Sequence, residues 1–278
     1  LDEHVAHATN LGLTTRVVTN GYWAASLDAA RRRLANLVAS GLHEINFSTG
    51  RFHSRFVPYS RIRNGIIAAA ELGLTVVVNV ESCDQSEFDG ELAMHPKMIS
   101  WSQSGRVHFQ RATWIEADGL SEITHAASGT VDSSRAGCSV LLNTLTVTPS
   151  LSLVACCGLH LEKIPELHLG SLVQASMMEI LRRRPDDLVK LWLHLDGPDY
   201  ILRTVASNAP NLKVAVESPH PCQSCLALYK SPELRNAVAM LAEERREDIL
   251  QRYVASLKSK LHQLSAGATH VQVAESTC

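Results

Sequence analysis

EINFSTGRFHSRFVPYSRIRNGIIAAAELGLTVVVNVE, residues 44–81, is the stretch that decides the fold. Its two ends, EINFS (44–48) and TVVVNV (75–80), are short runs rich in apolar and β-branched residues. Its middle, YSRIRNGIIAAAEL (59–72), repeats apolar residues at helical spacing and stops at Gly73. A strand, a polar loop, a helix and a second strand in that order form one βαβ crossover, which lays its strands parallel.

Upstream, TTRVVT (14–19) runs into Asn20-Gly21, Ser26 stands where an N-cap belongs, and LDAARRRLANLVAS (27–40) follows, closed by Gly41. The strand ends Thr19, Ser48 and about Asn79 lie 29 and 31 residues apart, the length of one βα step. A fourth strand is predicted at Val107–Ile115, after an irregular segment containing Pro96 and Gly105. The first part of the chain is therefore read as α/β with a parallel sheet.

After about Ala117 the pattern changes. Ser139–Ala155 alternates apolar and small polar residues around Thr148-Pro149-Ser150, which predicts an antiparallel hairpin. Helices are predicted at 171–184, 186–195 and 198–206, then a tight turn at Pro219-His220-Pro221-Cys222, then one long helix from Ser231, with Pro232 at its first position, to about His262. The tail 265–278 reads as frayed. The domains are placed at 1–118, 119–236 and 237–278.

With 278 residues, 45% of them hydrophobic, the chain is long enough to bury a core, and its net charge of −2 lacks the basic excess of a nucleic-acid or anionic-membrane binder. The longest uncharged stretch, Ala136–Leu159, is interrupted by Asn143, Thr144, Thr146, Thr148, Pro149, Ser150 and Ser152, so a hairpin explains it better than a membrane span. Nothing resembles a secretory leader, and the seven cysteines are read as thiols or metal ligands in a reducing compartment, hence a cytoplasmic protein. Because the chain starts at Leu1 and enters directly into helix-like sequence, a missing upstream part is expected.

Cys222 and Cys225 form a CxxC, whose spacing lets two thiolates converge on one metal centre. Cys138 opens the predicted hairpin and Cys156-Cys157 close it, with 17 residues between Cys138 and Cys156, so that four sulfurs converge if the hairpin forms. Adjacent strand residues face opposite ways, so one of Cys156 and Cys157 is expected to be a ligand, with Cys156 preferred. Cys83 and Cys278 are read as non-ligands. Spacing alone leaves zinc and an iron–sulfur cluster open, and a structural or redox-active CxxC competes with both.

In parallel α/β proteins ligands sit beyond the C-terminal strand ends. Thr19, Asn20, Gly21, Ser48, Thr49, Gly50, Arg51, His53, Asn79 and Glu81 occupy those positions here. Their hydroxyl, amide and carboxylate groups suit a ligand with ribose or amino-acid groups. Taken singly, each has a plain structural explanation: a turn at Asn20-Gly21, a cap at Ser48, a satisfied polar group at Asn79, and simple placement for His53.

LGLTTRVVTNGYWA (11–24), HEINFSTGRFHSRFVP (43–58) and LGLTVVVNVES (72–82) resemble the third to fifth βα units of a radical S-adenosylmethionine (SAM) enzyme. GCSVLLNTLTVTPSLSLVACCG (137–158), LHLGSLVQASMMEIL (167–181) and HPCQSC (220–225) resemble the SPASM/twitch-type auxiliary-cluster domain that often follows that core. The resemblance implies an incomplete parallel (β/α)6 partial TIM barrel holding SAM, then a small α+β domain with a β-hairpin. That second domain would hold an auxiliary [4Fe-4S] cluster on Cys138, Cys156, Cys222 and Cys225. By analogy of position, Ser48 and Asn79 would lie near the ribose or methionine of SAM, with Asn20 and Glu81 close by.

The family's CxxxCxxC, which holds the SAM-cleaving [4Fe-4S] cluster, is not in this chain. Where the family usually has GN, Gly170-Ser171 stands, and no cysteine lies between Cys225 and Cys278, which points to one auxiliary cluster. The expectation is the C-terminal portion of a radical SAM oxidoreductase or maturase. In complete form it would cleave SAM reductively to a 5′-deoxyadenosyl radical that abstracts hydrogen from a peptide or small-molecule substrate, fed by a flavodoxin or ferredoxin. Alone, this chain is expected to be inactive. The competing expectation is a non-catalytic zinc- or iron–sulfur-binding structural or interaction module. Neither expectation involves nucleic acid or membrane.

Overall fold

The computed structural model describes residues 1–82, 95–113, 135–158, 160–182, 187–212, 214 and 220–266. The chain divides into two compact units, Leu1–Ala126 and Ala127–Cys278. Among the described residues no helix is long and apolar enough to cross a membrane.

The first unit is α/β. Strands β1 (Arg16–Thr19), β2 (Glu44–Gly50), β3 (Thr75–Ser82) and β4 (Val107–Thr113) form one parallel sheet in chain order. Helices α1 (Asp2–Asn10), α2 (Leu27–Ala39), α3 (Tyr59–Glu71) and α4 (Pro96–Gln103) lie before and between them. Ser26 caps α2, its side chain accepting from the Ala29 N–H at 3.2 Å. The segment holding Pro96, expected to be irregular, contains α4: proline at the first turn lacks only an N–H that no helix would use there.

Because neighbouring strands run in register and side chains alternate, the sheet sorts its residues by face. Ile45, Phe47, Val76, Val78, Val80 and Val107 share one face and pack with Leu34 and Leu37 of α2, Ile62 and Ile66 of α3 and Met98 of α4. All three helices thus cover the same side, a singly wound order without the reversal of a doubly wound sheet. The fit is tight at Gly65, where a Cβ would lie 2.6 Å from Cε1 of Phe47. The face turned away from the helices carries Asn46, Ser48, Val77, Asn79, Glu81, His108 and Gln110.

The second unit holds a small antiparallel sheet, β5 (Thr146–Val147), β6 (Ser152–Val154) and β7 (His168–Ser171), in that order. Helices α5 (Met177–Arg182), α6 (Leu188–Asn208), α7 (Pro221–Leu228), α8 (Pro232–Glu244) and α9 (Arg246–Ala266) follow. Trp192, Leu193, Ile201, Leu202, Val205 and Leu228 centre its core.

Three expectations are corrected here. The hairpin is shorter than Ser139–Ala155, because Ser139–Leu145 folds into a turn. Leu142 adopts φ 70° and the Asn143 amide donates to the Ser139 carbonyl at 2.7 Å, which takes these residues out of pairing. The helix expected over 171–184 shrinks to α5. Gly170 and Ser171 pair with β6, and Ser176 and Glu179 form a capping box in which the Ser176 N–H donates to Glu179 at 2.8 Å. The long helix expected from Ser231 to His262 breaks at Arg245 (φ −101°, ψ 9°), whose guanidinium lies over the Trp192 ring at 5.5 Å from its centroid. Ser231 still caps α8. Trp114, Ile115, Pro219, Cys83, Cys278 and the tail from 267 lie outside the described residues.

Candidate functional site

In the first unit the candidate residues sit at and beyond the C-terminal ends of β1, β2 and β3. Ser48 is the register partner of Asn79, and Asn79 that of Gln110, so three polar side chains form a row across the face opposite the helices. One row deeper on β2, Asn46 is 7% exposed and its Oδ1 has no hydrogen-bond partner. A buried amide oxygen without a donor carries a desolvation cost of about 1–3 kcal/mol, which a bound donor would offset.

Asn20 stands apart from this row. It is exposed, and its Oδ1 accepts from the Tyr22 N–H at 3.1 Å, an Asx turn that takes up the side chain locally. Thr19 is likewise engaged, its hydroxyl oxygen accepting from the Gly21 N–H at 3.1 Å and from the Trp23 indole N–H at 2.9 Å.

Glu81 is buried, 5% exposed, and points into its own chain. Oε1 accepts from the Phe52 N–H at 2.6 Å and the His53 N–H at 3.0 Å, while Oε2 meets His53 Nδ1 at 2.5 Å. The carboxylate thus orders the single 3-10 turn His53–Arg55 that follows β2.

In the second unit, three stretches bring the thiols together. Cys138 is tied to α6: its N–H donates to the Leu193 carbonyl at 3.0 Å and its own carbonyl meets His194 Nδ1 at 3.0 Å. This seat lies beside Gly197, which interrupts α6 with φ 74° and ψ 165°; a Cβ there would overlap the Ala136 carbonyl. Cys156 follows β6, and Cys222 and Cys225 stand three apart on α7, hence on one helix face. The expected Pro219–Cys222 turn is replaced, over its described part, by a helix start, since His220 caps α7 through Nδ1, which accepts from the Cys222 N–H at 3.1 Å.

Gly158 shows how close two of the sulfurs come. A Cβ on it would lie 3.2 Å from Cys222 Sγ and 3.3 Å from Cys156 Sγ, and its N–H donates to Cys156 Sγ at 3.1 Å. Cys157 is exposed, whereas Cys138, Cys156, Cys222 and Cys225 are half-buried, and none of the five is in a disulfide.

Burial pushes the Cys222 thiol up to about 11, with negative charge on Cys156 and Cys138 adding to the rise. Burial and then the charges of Cys156, Cys138 and Cys222 raise Cys225 further, and burial raises Cys156. His220 is pushed down by burial and by nearby His160. Three thiols held back from ionising, those of Cys156, Cys222 and Cys225, favour a cation that would take the place of their protons. Among the described residues, no group of three or more His, Cys, Asp or Glu side chains is arranged to hold a metal ion. The donor set is thus right for a thiolate centre in kind, while the sulfurs are not drawn in around one ion.

Asn46, His108 and Gln110 were not among the candidates taken from the sequence. The alternation in EINFS and VHFQ marks each as sharing a face with its polar neighbours, but only the strand register places them in common rows. Compared with models of known protein families the chain matches none, and no curated protein matches it.

Proposed function

We propose that this chain is the C-terminal portion of a radical SAM oxidoreductase or maturase. In this reading the four-stranded sheet is part of a (β/α)6 partial barrel whose polar face, with Ser48 and Asn79, receives SAM. Cys138, Cys156, Cys222 and Cys225 then hold an auxiliary [4Fe-4S] cluster. The observation that carries it is the gathering of four half-buried thiols from three separate stretches.

A single zinc ion with Zn–S bonds of about 2.3 Å needs its sulfurs about 4 Å apart. In kind, the four cysteines suit either zinc or a cluster, and metal analysis separates the two. Ser48 and Asn79 would hold SAM, whose reductive cleavage would supply a 5′-deoxyadenosyl radical, and the four cysteines would hold an auxiliary cluster, which would supply a route for an electron. The chain's own residues orient SAM through the hydroxyl and amide groups of Ser48 and Asn79 and hold the cluster through four thiolates. A low-potential flavodoxin or ferredoxin would be the electron partner, a peptide or small molecule the substrate, and the cytoplasm the compartment.

A second reading is favoured by the lack of CxxxCxxC in this sequence: a zinc or iron–sulfur module without catalysis. Anaerobic reconstitution with iron and sulfide separates them. About four iron and four sulfide per chain are expected, lost in Cys222→Ser and Cys225→Ser and kept in Cys157→Ser. Zinc at about one per chain without acid-labile sulfide, or metal content unchanged in the Cys222 and Cys225 variants, would sink the auxiliary-cluster assignment.

A further inference from the structure

One kink in α6 touches two of the three stretches that carry the thiols. The helix is interrupted at Gly197, and its second half restarts at Pro198, whose missing N–H costs nothing at a helix start. Ahead of the kink, the Leu193 carbonyl accepts from the Cys138 N–H at 3.0 Å, and His194 Nδ1 donates to the Cys138 carbonyl at 3.0 Å. The approach is so close that a Cβ on Gly137 would overlap the His194 carbonyl oxygen, and one on Gly197 the Ala136 carbonyl oxygen. Just past the kink, the Asp199 carboxylate accepts from the Ser224 hydroxyl at 2.5 Å. Ser224 is 0% exposed and stands between Cys222 and Cys225 on α7.

We propose that Asp199 is a positioning residue for the thiolate centre, acting through Ser224 on Cys222 and Cys225 while the same kink seats Cys138. A hydroxyl bonded to a carboxylate makes a charge-assisted bond, stronger than a neutral one. Asp199 lies in the first turn of the restarted helix, where the helix dipole favours its negative charge. Cys222, Ser224 and Cys225 share one turn of α7, so holding Ser224 fixes the rotation of that helix about its axis and the directions in which the two cysteine side chains leave it. Groups that orient metal ligands without touching the metal set much of a site's affinity. The ligand class is a thiophilic cation or an iron–sulfur cluster. This inference rests on the reading above that the four cysteines form one metal centre.

The test uses the full chain, reduced and free of metal, with cadmium as the probe, because cadmium–thiolate bonds absorb in the ultraviolet and report the thiolates bound. Affinity is read by competition with a chelator. Asp199→Ala and Ser224→Ala are each expected to weaken cadmium binding about tenfold, with the fold intact by circular dichroism. Asp199→Asn, which keeps an acceptor for the hydroxyl, is expected to restore most of the loss. Combining the two alanine substitutions should cost no more than either alone, since both remove the same bond. Wild-type affinity in both alanine variants, losses that multiply in the double variant, or an Asp199→Asn as weak as Asp199→Ala would overturn the positioning role. A second readout needs no metal. A short bifunctional thiol reagent is expected to bridge Cys156 to Cys222, whose sulfurs lie on either side of Gly158, more slowly in Asp199→Ala than in the wild type, with the product mapped by mass spectrometry. If the wild type shows no cadmium–thiolate band, the reading of the four cysteines as one metal centre fails. The bridging rate then decides the positioning role alone, and equal rates in the wild type and Asp199→Ala would overturn it.

Discussion

The two units hold their polar groups by opposite means. In the first, Asn46, Ser48, Asn79 and Gln110 ride on a parallel ladder, so their spacing is set by backbone hydrogen bonds and survives the loss of any one side chain. In the second, no ladder joins the cysteines. A turn tied to a helix kink, the end of a short strand and one helix face each bring thiols toward one another. A substitution on the sheet face should therefore change binding and leave the fold, whereas one near the thiols should change both.

The sharpest way to break that contrast lies in the buried support of the second unit. Asp196, 2% exposed, accepts from the Trp192 indole N–H at 3.0 Å and from two nitrogens of Arg252, at 2.5 and 3.1 Å. Arg252→Met leaves that carboxylate buried with one donor, and is expected to destabilise the second unit by about 3 kcal/mol. Asp196→Asn should cost less, because the Arg252 side chain is 32% exposed and can turn to water. Hydrogen exchange should register the loss on α6 and α9 and leave β1–β4 unchanged. Equal effects of the two variants would show that the acid is not the buried partner that matters.

The units also differ in how much the sequence discloses. The βα ladder is legible because caps and alternation are local signals: Ser26, Gly41, and the period of EINFS and TVVVNV need no tertiary knowledge. Ser48 and Asn79 follow from that ladder as strand ends. The fate of Glu81 does not, since the amides that take it up lie almost thirty residues away across a register that only the folded sheet defines. In the second unit local signals mislead. Ser139–Leu145 alternates like a strand yet turns, and nothing in EERRED announces the break at Arg245, a good helix former whose guanidinium lies over the Trp192 ring.

A smaller effect tests the packing beneath the ladder. Gly65 lies in α3, where alanine would be favoured by about 1 kcal/mol on helix propensity alone. A Cβ there would stand 2.6 and 2.7 Å from two carbons of the fully buried Phe47 ring, and the overlap is worth about 1–3 kcal/mol against folding. Gly65→Ala is therefore expected to lower the stability of the first unit by about 1 kcal/mol, read by urea unfolding. A stabilised variant would mean that α3 can move off the sheet and that the ladder tolerates looser cover than its burial implies.

The smallest expected effect is electrostatic and confined to the outer surface of the first unit. Glu71 in α3 receives Arg31 of α2 at 2.7 Å and Lys97 of α4 at 3.2 Å, so one carboxylate links three helices. The hydrogen bond from Arg31, more than any other contact, holds its carboxyl below the usual value of 4.5 against the opposing effect of burial, with Lys97 adding to the lowering. A group whose pKa is lower in the folded than in the unfolded chain contributes stability that is fully present above the unfolded value. That contribution is lost as the pH falls through the folded one. Wild-type stability should thus decline below about pH 4.5 in part through Glu71, and Glu71→Gln should flatten this part of the curve. Salt at about 1 M should erase the difference between the two proteins, because charges so near solvent are screened. An acid-side slope that Glu71→Gln leaves untouched would place the three-helix link outside the interactions that hold α2, α3 and α4 against the sheet.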